Sequence, residues 1–309
     1  MTRTALITHA ACLEHDTGRG HPERIDRLRA VLGALRGPAF AALQWMQAPA
    51  AERAAIERIH DADYVEEVFA AIPAEGHAML DGDTIVSPGS GEAALRAAGA
   101  IIAAIDQLAA GTIDNAFCAV RPPGHHAEAD RAMGFCLFNN VAIGAAHARA
   151  VHGWNRVAVM DFDVHHGNGT QHSFAADSDL FYASTHQMPL YPGTGAPSER
   201  GVGNICNAPL PPGAGSAAFR KAMSTQVIPA IEAFRPDLVL VSAGFDAHRD
   251  DPLASLELET EDFAWATLEL LALARRVCHG RLVSTLEGGY DLEALADSAA
   301  AHVAALMQG

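Results

Sequence analysis

Four polar residues close two apolar runs. Asp161-Phe-Asp163-Val-His165 follows Val157-Ala-Val-Met160, and Asp246 lies just beyond Leu238-Val-Leu-Val241. Alternate residues of a strand point to one face, which predicts that Asp161, Asp163 and His165 share a side at the strand's mouth. Buried carboxylates need a compensating cation or several hydrogen bonds. Two carboxylates and one imidazole drawn from this group would leave a divalent ion formally neutral, with one position open for water. That is a catalytic rather than a structural arrangement. The competing reading is a hydrogen-bonded loop cluster without metal.

His125 and His126 follow Pro122-Pro-Gly, a stiff turn able to aim two imidazoles at one point. Asp161 and Asn168 are candidate partners that would set the tautomers of this pair. Tyr290, after Gly288-Gly289, could offer its hydroxyl to a carbonyl. The plainer alternatives are a polar loop for the histidines and a packing role for the tyrosine.

Alternating elements must position these groups. Strands are predicted over Thr4–Thr8, Asn115–Val120, Arg156–Phe162, Leu180–Thr185, Leu238–Ser242 and Arg281–Leu286. Helices are predicted over Pro22–Leu35, Glu92–Ala110, Asn139–Val151, Ala217–Phe234, Thr260–Cys278 and Leu292–Met307. Near-continuous apolar strands suit a parallel sheet buried on both faces. The alternation argues a single-domain, doubly wound α/β fold, a mostly parallel sheet with helices on both faces. The polar, glycine-bearing loops then converge at the carboxyl ends of the strands, where open α/β sheets bind ligands.

Bulk composition narrows the function. The 309 residues carry a formal charge of −16, which repels nucleic acid and favours cationic partners. The five cysteines are odd in number and include no C-x-x-C pair, so neither a disulfide framework nor a cysteine zinc site is expected. No apolar run approaches the ~18 residues of a membrane span, and no long apolar stretch opens the chain as in a signal peptide. The expected location is the cytoplasm. Composition leaves a homo-oligomer open.

Taken in order, His21-Pro-Glu-Arg24, Arg121-Pro-Pro-Gly-His-His126, Gly134-Phe-Cys136, Asp161 to Gly169, Ser242-Ala-Gly-Phe-Asp246 and Glu287-Gly-Gly-Tyr290 resemble the histone deacetylase superfamily. The likeness spans nearly the whole chain and is nearest to the bacterial class II-like branch, which also holds acetylpolyamine amidohydrolases. It implies an arginase-deacetylase fold and one catalytic domain over residues 1–309. It implies one Zn²⁺ per chain on Asp163, His165 and Asp246, with Fe²⁺ as the other metal to consider. His126 would be the general base and acid, His125 its electrostatic companion, and Asp161 the carboxylate that orients His125. Asn168 stands where some members carry Asp, which leaves His126 a neutral partner. Tyr290 would polarise the carbonyl. Phe135, Tyr191, Leu253 and Gly289 would shape the substrate tunnel. A structural K⁺ would sit on Asp161 and Ser184 with carbonyls of Asp163, His165 and Thr185. Arg27 would line an internal acetate exit.

The resemblance points to hydrolysis of acyl-lysine in a peptide or protein. Polyamine-selective relatives carry a glutamate after the Asp-Pro that follows the third metal ligand, whereas this chain has Asp251-Pro-Leu253. Glu14, Asp16 or Glu23 could still recruit an acylated polyamine. The Ser87-Pro-Gly-Ser90 segment shows no match for the acid that binds a peptide backbone. A silent acyl-lysine-binding module and an arginase-type dinuclear site are the further alternatives. The latter lacks a second carboxylate-rich ligand set.

Overall fold

A computed structural model describes residues 2–309. All six predicted strands form, and each is buried along its full length. In chain order the strands are β1 (Thr4–Thr8), β2 (Gln44–Gln47), β3 (Ala78–Met79), β4 (Ile85–Val86), β5 (Asn115–Cys118), β6 (Val157–Asp161), β7 (Leu180–Gln187), β8 (Ile205–Leu210), β9 (Leu238–Ala243) and β10 (Leu282–Leu286). Eight of them form one sheet in the order β2-β1-β5-β10-β9-β6-β7-β8, with every neighbouring pair parallel. β3 and β4 make a separate antiparallel pair.

Parallel neighbours need long crossovers, usually helical. The helices are α1 (Ile25–Ala34), α2 (Arg53–Ile56), α3 (Ala62–Ala70), α4 (Ser90–Ala109), α5 (Asn140–His152), α6 (Asn168–Phe174), α7 (Ser216–Ala222), α8 (Ile228–Phe234), α9 (Thr260–Cys278) and α10 (Leu292–Leu306). α4 packs on β1, β5 and β10 and against α5, while α10 packs on β5 between α1 and α9. The sheet is therefore covered on both faces, which is why its central strands are apolar throughout. α9 begins with a reciprocal capping box between Glu259 and Asp262. Asp291 caps α10 by accepting from the Glu293 and Ala294 N–H groups.

The predicted elements are a subset of those present. β2 and β8 lie at the two edges of the sheet. β2 reads Gln-Trp-Met-Gln, and β8 contains Pro209, a residue confined to edge positions in sheets. The helix predicted over Ala217–Phe234 is interrupted by a π-turn at Met223–Val227. Pro229 lacks the N–H that would continue the α-helical ladder there. Among the described residues, no helix is long and apolar enough to cross a membrane.

Candidate active site

β5 and β6 follow one another in the main sheet, yet β10 and β9 lie between them. The loops leaving these four strands at their carboxyl ends close around one crevice. In it Asp163, His165 and Asp246 place one donor atom each within 4.8 Å of the others. His165 Nδ1 is 3.1 Å from both Asp163 Oδ1 and Asp246 Oδ2. Backbone groups aim the carboxylates: Gly288 N–H donates to Asp163 Oδ2 at 2.8 Å and Val164 N–H to Asp246 Oδ1 at 2.9 Å. A Cβ at Gly288 would collide with both acids, so the close approach requires glycine.

The shared strand face expected for Asp161, Asp163 and His165 is not what gathers these groups. β6 ends at Asp161, and the other two stand on the loop beyond it. Asp161 turns aside to accept from His125 Nδ1 at 2.9 Å, the Tyr182 hydroxyl at 3.0 Å and Asp163 N–H at 3.1 Å. Asp161 and Ser184, two groups of the expected K⁺ site, are register partners on β6 and β7. The Ser184 hydroxyl lies 2.9 Å from His186 Nδ1, and the Thr185 hydroxyl is buried without a partner among the described residues.

Charge balance tests whether the crevice suits a metal. Glu23, Asp161, Asp163, Asp246 and Glu287 are completely buried around it, facing the buried Arg27, Arg121 and His125. Burial opposes charge on His125, but Asp163 and Asp161 overcome it and hold the imidazole well above its usual range. The acids outnumber these bases, and burial raises the pKa values of Asp161, Asp246 and Glu287, the last to about 7, an unfavourable state that a divalent ion would relieve. In the protein alone His165 offsets part of this excess of acid. Burial opposes its charge, yet hydrogen bonds to Asp163 and Asp246 push it up to about 10. A metal ion would displace that proton. One imidazole and two carboxylates suit zinc.

His126 is the opposite case. Burial, then the charges on His125 and His165, hold it well below the usual range, so its ring is neutral. Its Nδ1 lies 2.8 Å from Asn168 Oδ1. The His125 and His126 rings are 4.1 Å apart, and the His126 and His165 rings 6.0 Å.

A cavity of about 200 Å³ opens onto these groups, lined by Asp83, His126, Gly134, Phe135, His165, Leu190, Tyr191, Leu253 and Tyr290. Phe135 meets the Tyr290 ring edge-on at 5.9 Å, and Tyr191 meets His126 at 5.2 Å. Phe135 has φ of 67°, an uncommon value for a residue with a side chain. Its N–H donates to Thr84 Oγ1 at 3.2 Å, and Gly134 N–H donates to Asp83 Oδ1 at 3.1 Å. Gly289 does not line this cavity. It packs against Leu295 and Phe245, and its carbonyl accepts from Arg27 Nε.

The expectation that Glu23 could recruit a polyamine is corrected. Glu23 is wholly buried and paired with Arg27 and Arg121. Arg27 also donates to the Glu287 carbonyl and lies 4.8 Å over the Tyr290 ring, so the trio supports the loop carrying the tyrosine. Glu14 and Asp16 are exposed. Asp83 is the acid among the residues lining the cavity, and Ser87–Ser90, where no such acid was expected, does not line it.

Other supports escaped the sequence reading. Glu287 Oε2 accepts from Gly124 and His125 N–H at 2.7 and 3.2 Å, and Oε1 from Ser242 Oγ at 3.0 Å. Asp251 Oδ2 accepts from Tyr290 N–H at 2.7 Å. Burial and the charge on Asp246 push Asp251 up to about 7. All five cysteines are free thiols. A second convergence, His147 and His152 Nε2 on Asp106 Oδ1 at 2.7 and 2.6 Å, joins α4 to α5 as a pair of hydrogen bonds.

A parallel α/β sheet with a carboxylate–imidazole crevice at the carboxyl ends of its strands is the arrangement expected of an arginase-deacetylase fold. Residues 21–306 match the histone deacetylase domain family. The histone deacetylase-like amidohydrolase of Pseudomonas aeruginosa is 41% identical over 93% of this chain and 82% of its own. The chloroplastic histone deacetylase 14 of Arabidopsis thaliana is 39% identical over 98% and 76%. The crystal structure of the HDA15 HD domain superposes with a TM-score of 0.94 at 34% identity, covering 99% of this chain and 88% of that one. The chain belongs to the histone deacetylase family.

Proposed function

We propose that this chain is a metal-dependent amidohydrolase that removes acetyl or longer acyl groups from lysine side chains, with residues 1–309 acting as one catalytic domain. The observation that carries the reading is a cavity lined by the buried His126 imidazole, the Tyr290 ring and His165, one of three donor residues close enough to hold a common metal ion. A zinc ion held by Asp163, His165 and Asp246 would polarise the amide carbonyl and acidify a water. His126 takes the proton of the water that adds to the carbonyl carbon. Tyr290 donates its hydroxyl hydrogen bond to the oxyanion that forms. His126 then passes the proton to the departing amine, leaving a carboxylate and a free amine. Phe135 and Tyr191 offer flat apolar walls suited to the methylene stem of lysine.

Asp83 favours a second reading. Its carboxylate at the cavity wall suits the N–H of a peptide backbone, but equally the ammonium of an acylated polyamine. Turnover of an acetyl-lysine peptide and of N-acetylputrescine, each with and without chelator, separates the cases. Faster peptide hydrolysis, lost with chelator and restored by zinc, is expected. Preference for N-acetylputrescine supports the second reading. Hydrolysis that survives metal removal, or none by the zinc-loaded protein, overturns the proposal.

A further inference from the structure

To accept a proton, His126 must carry its hydrogen on Nδ1 and leave Nε2 bare. Asn168 cannot impose this alone, because a carboxamide presents an acceptor at one end and a donor at the other. With its NH₂ turned towards the ring, Nδ1 would have to accept and Nε2 would hold the proton. That arrangement has no base.

The far end of Asn168 decides which way the amide points. Its Nδ2 lies 2.7 Å from Glu128 Oε1, and an ionised carboxylate can only accept. The remaining neighbours of Nδ2, the His126 carbonyl at 3.4 Å and Met133 Sδ at 3.3 Å, are acceptors as well. Glu128 is itself held. Oε1 also accepts from Arg131 Nη2 at 2.9 Å, and Oε2 pairs with His172 Nδ1 at 2.9 Å. The Glu128 carbonyl pairs with His60 Nδ1 at 2.8 Å, and its N–H donates to the Arg131 carbonyl at 3.1 Å. Partial burial raises its pKa, but the bonds from His172, Asn168 and Arg131 outweigh that and keep it ionised.

We propose that Glu128 is a positioning residue which acts through Asn168 to hold His126 as its Nδ1–H tautomer. The inference rests on the reading of His126 as the base. A carboxylate directly beside His126 would favour a proton on the resting ring. Placed one amide away, it sets orientation while leaving Nε2 free.

The test compares kcat and KM of the zinc-loaded chain carrying Glu128→Ala or Glu128→Gln, each with Asn168 and with Asn168→Asp. Glu128→Ala should lower kcat about tenfold and leave KM within about twofold, the loss expected when a general base is partly in the wrong tautomer. Glu128→Gln, which keeps an acceptor oxygen, should lose less. In the Asn168→Asp background both partner atoms accept whichever way they turn, so Glu128→Ala should be neutral or raise kcat. Equal losses in both backgrounds, or wild-type kcat in Glu128→Ala, overturn the proposal. Histidine-selective ¹⁵N spectra read the tautomer directly. The Nδ1–H form should dominate in wild type and become mixed in Glu128→Ala or Glu128→Gln, and an unchanged tautomer in both rejects it. His126→Ala is measured alongside: if it stays active the base assignment itself fails, whereas a dead His126→Ala with an unaffected Glu128→Ala removes only the role of Glu128.

Discussion

The amino and carboxyl ends of the central strands use the same residue types to opposite purposes. Where the strands begin, Arg3 meets Asp114 at 2.6 Å and Arg156 meets Asp179 at 3.1 Å, and all four side chains are between 41 and 47% exposed. Where the strands finish, Glu23 bridges Arg27 and Arg121 with nothing exposed. The first kind of pair sits in water and is worth little. The second cannot lose a partner without stranding a buried charge. The difference teaches that acid–base contacts matter here according to what surrounds them. At the carboxyl ends the buried acids outnumber the buried bases named around the crevice.

That contrast can be broken most sharply at Glu23. Glu23→Gln should cost about 3–5 kcal/mol in urea denaturation, the loss typical of breaking a buried pair. Burial raises the pKa of Glu23, but Arg121 and then Arg27 depress it to about 2 from its ordinary 4.5. A depressed carboxylate adds stability that is complete above pH 4.5 and drains away as pH falls towards 2. Stability measured across that window should fall more steeply in wild type than in Glu23→Gln. Parallel slopes would show that the pair does not carry the difference.

Next in size come His126→Ala and Tyr290→Phe, each expected to reduce kcat on an acyl-lysine peptide by at least about a hundredfold with the fold intact by circular dichroism. Turnover near wild type in either would withdraw the role given to that residue. Asp246→Asn should weaken zinc retention at least about tenfold. Elemental analysis showing undiminished zinc would take Asp246 out of the donor set. At the amino ends, Asp179→Asn should cost less than about 1 kcal/mol. A loss as large as that of Glu23→Gln would erase the distinction between the two ends.

Much of the fold could be read in advance because long apolar runs report their own burial. Val157 to Met160 and Leu238 to Val241 are apolar at every position, and only a strand covered on both faces needs that. The edge strands β2 and β8, short and mixed in polarity, send no such signal. The residues that the crevice brings together could be singled out in advance, since few residue types can hold a metal or move a proton, and these lie in glycine-marked loops. Of their supports, Asp161 and Asn168 were anticipated. Glu128, Asp251 and Glu287 were not, because a buried acid looks the same in sequence as an exposed one.

By itself the sequence determined which groups are available to react and which segments become strands or helices, because both follow from residue type and local periodicity. The tertiary structure decided the charge each group carries. His125 and His126 are chemically identical neighbours, yet one ring lies against Asp161 and the other against Asn168, and one is cationic while the other is neutral. No local pattern encodes that difference: Asp163 and Asp161, distant in sequence, hold His125 up, while burial and the charges on His125 and His165 hold His126 down.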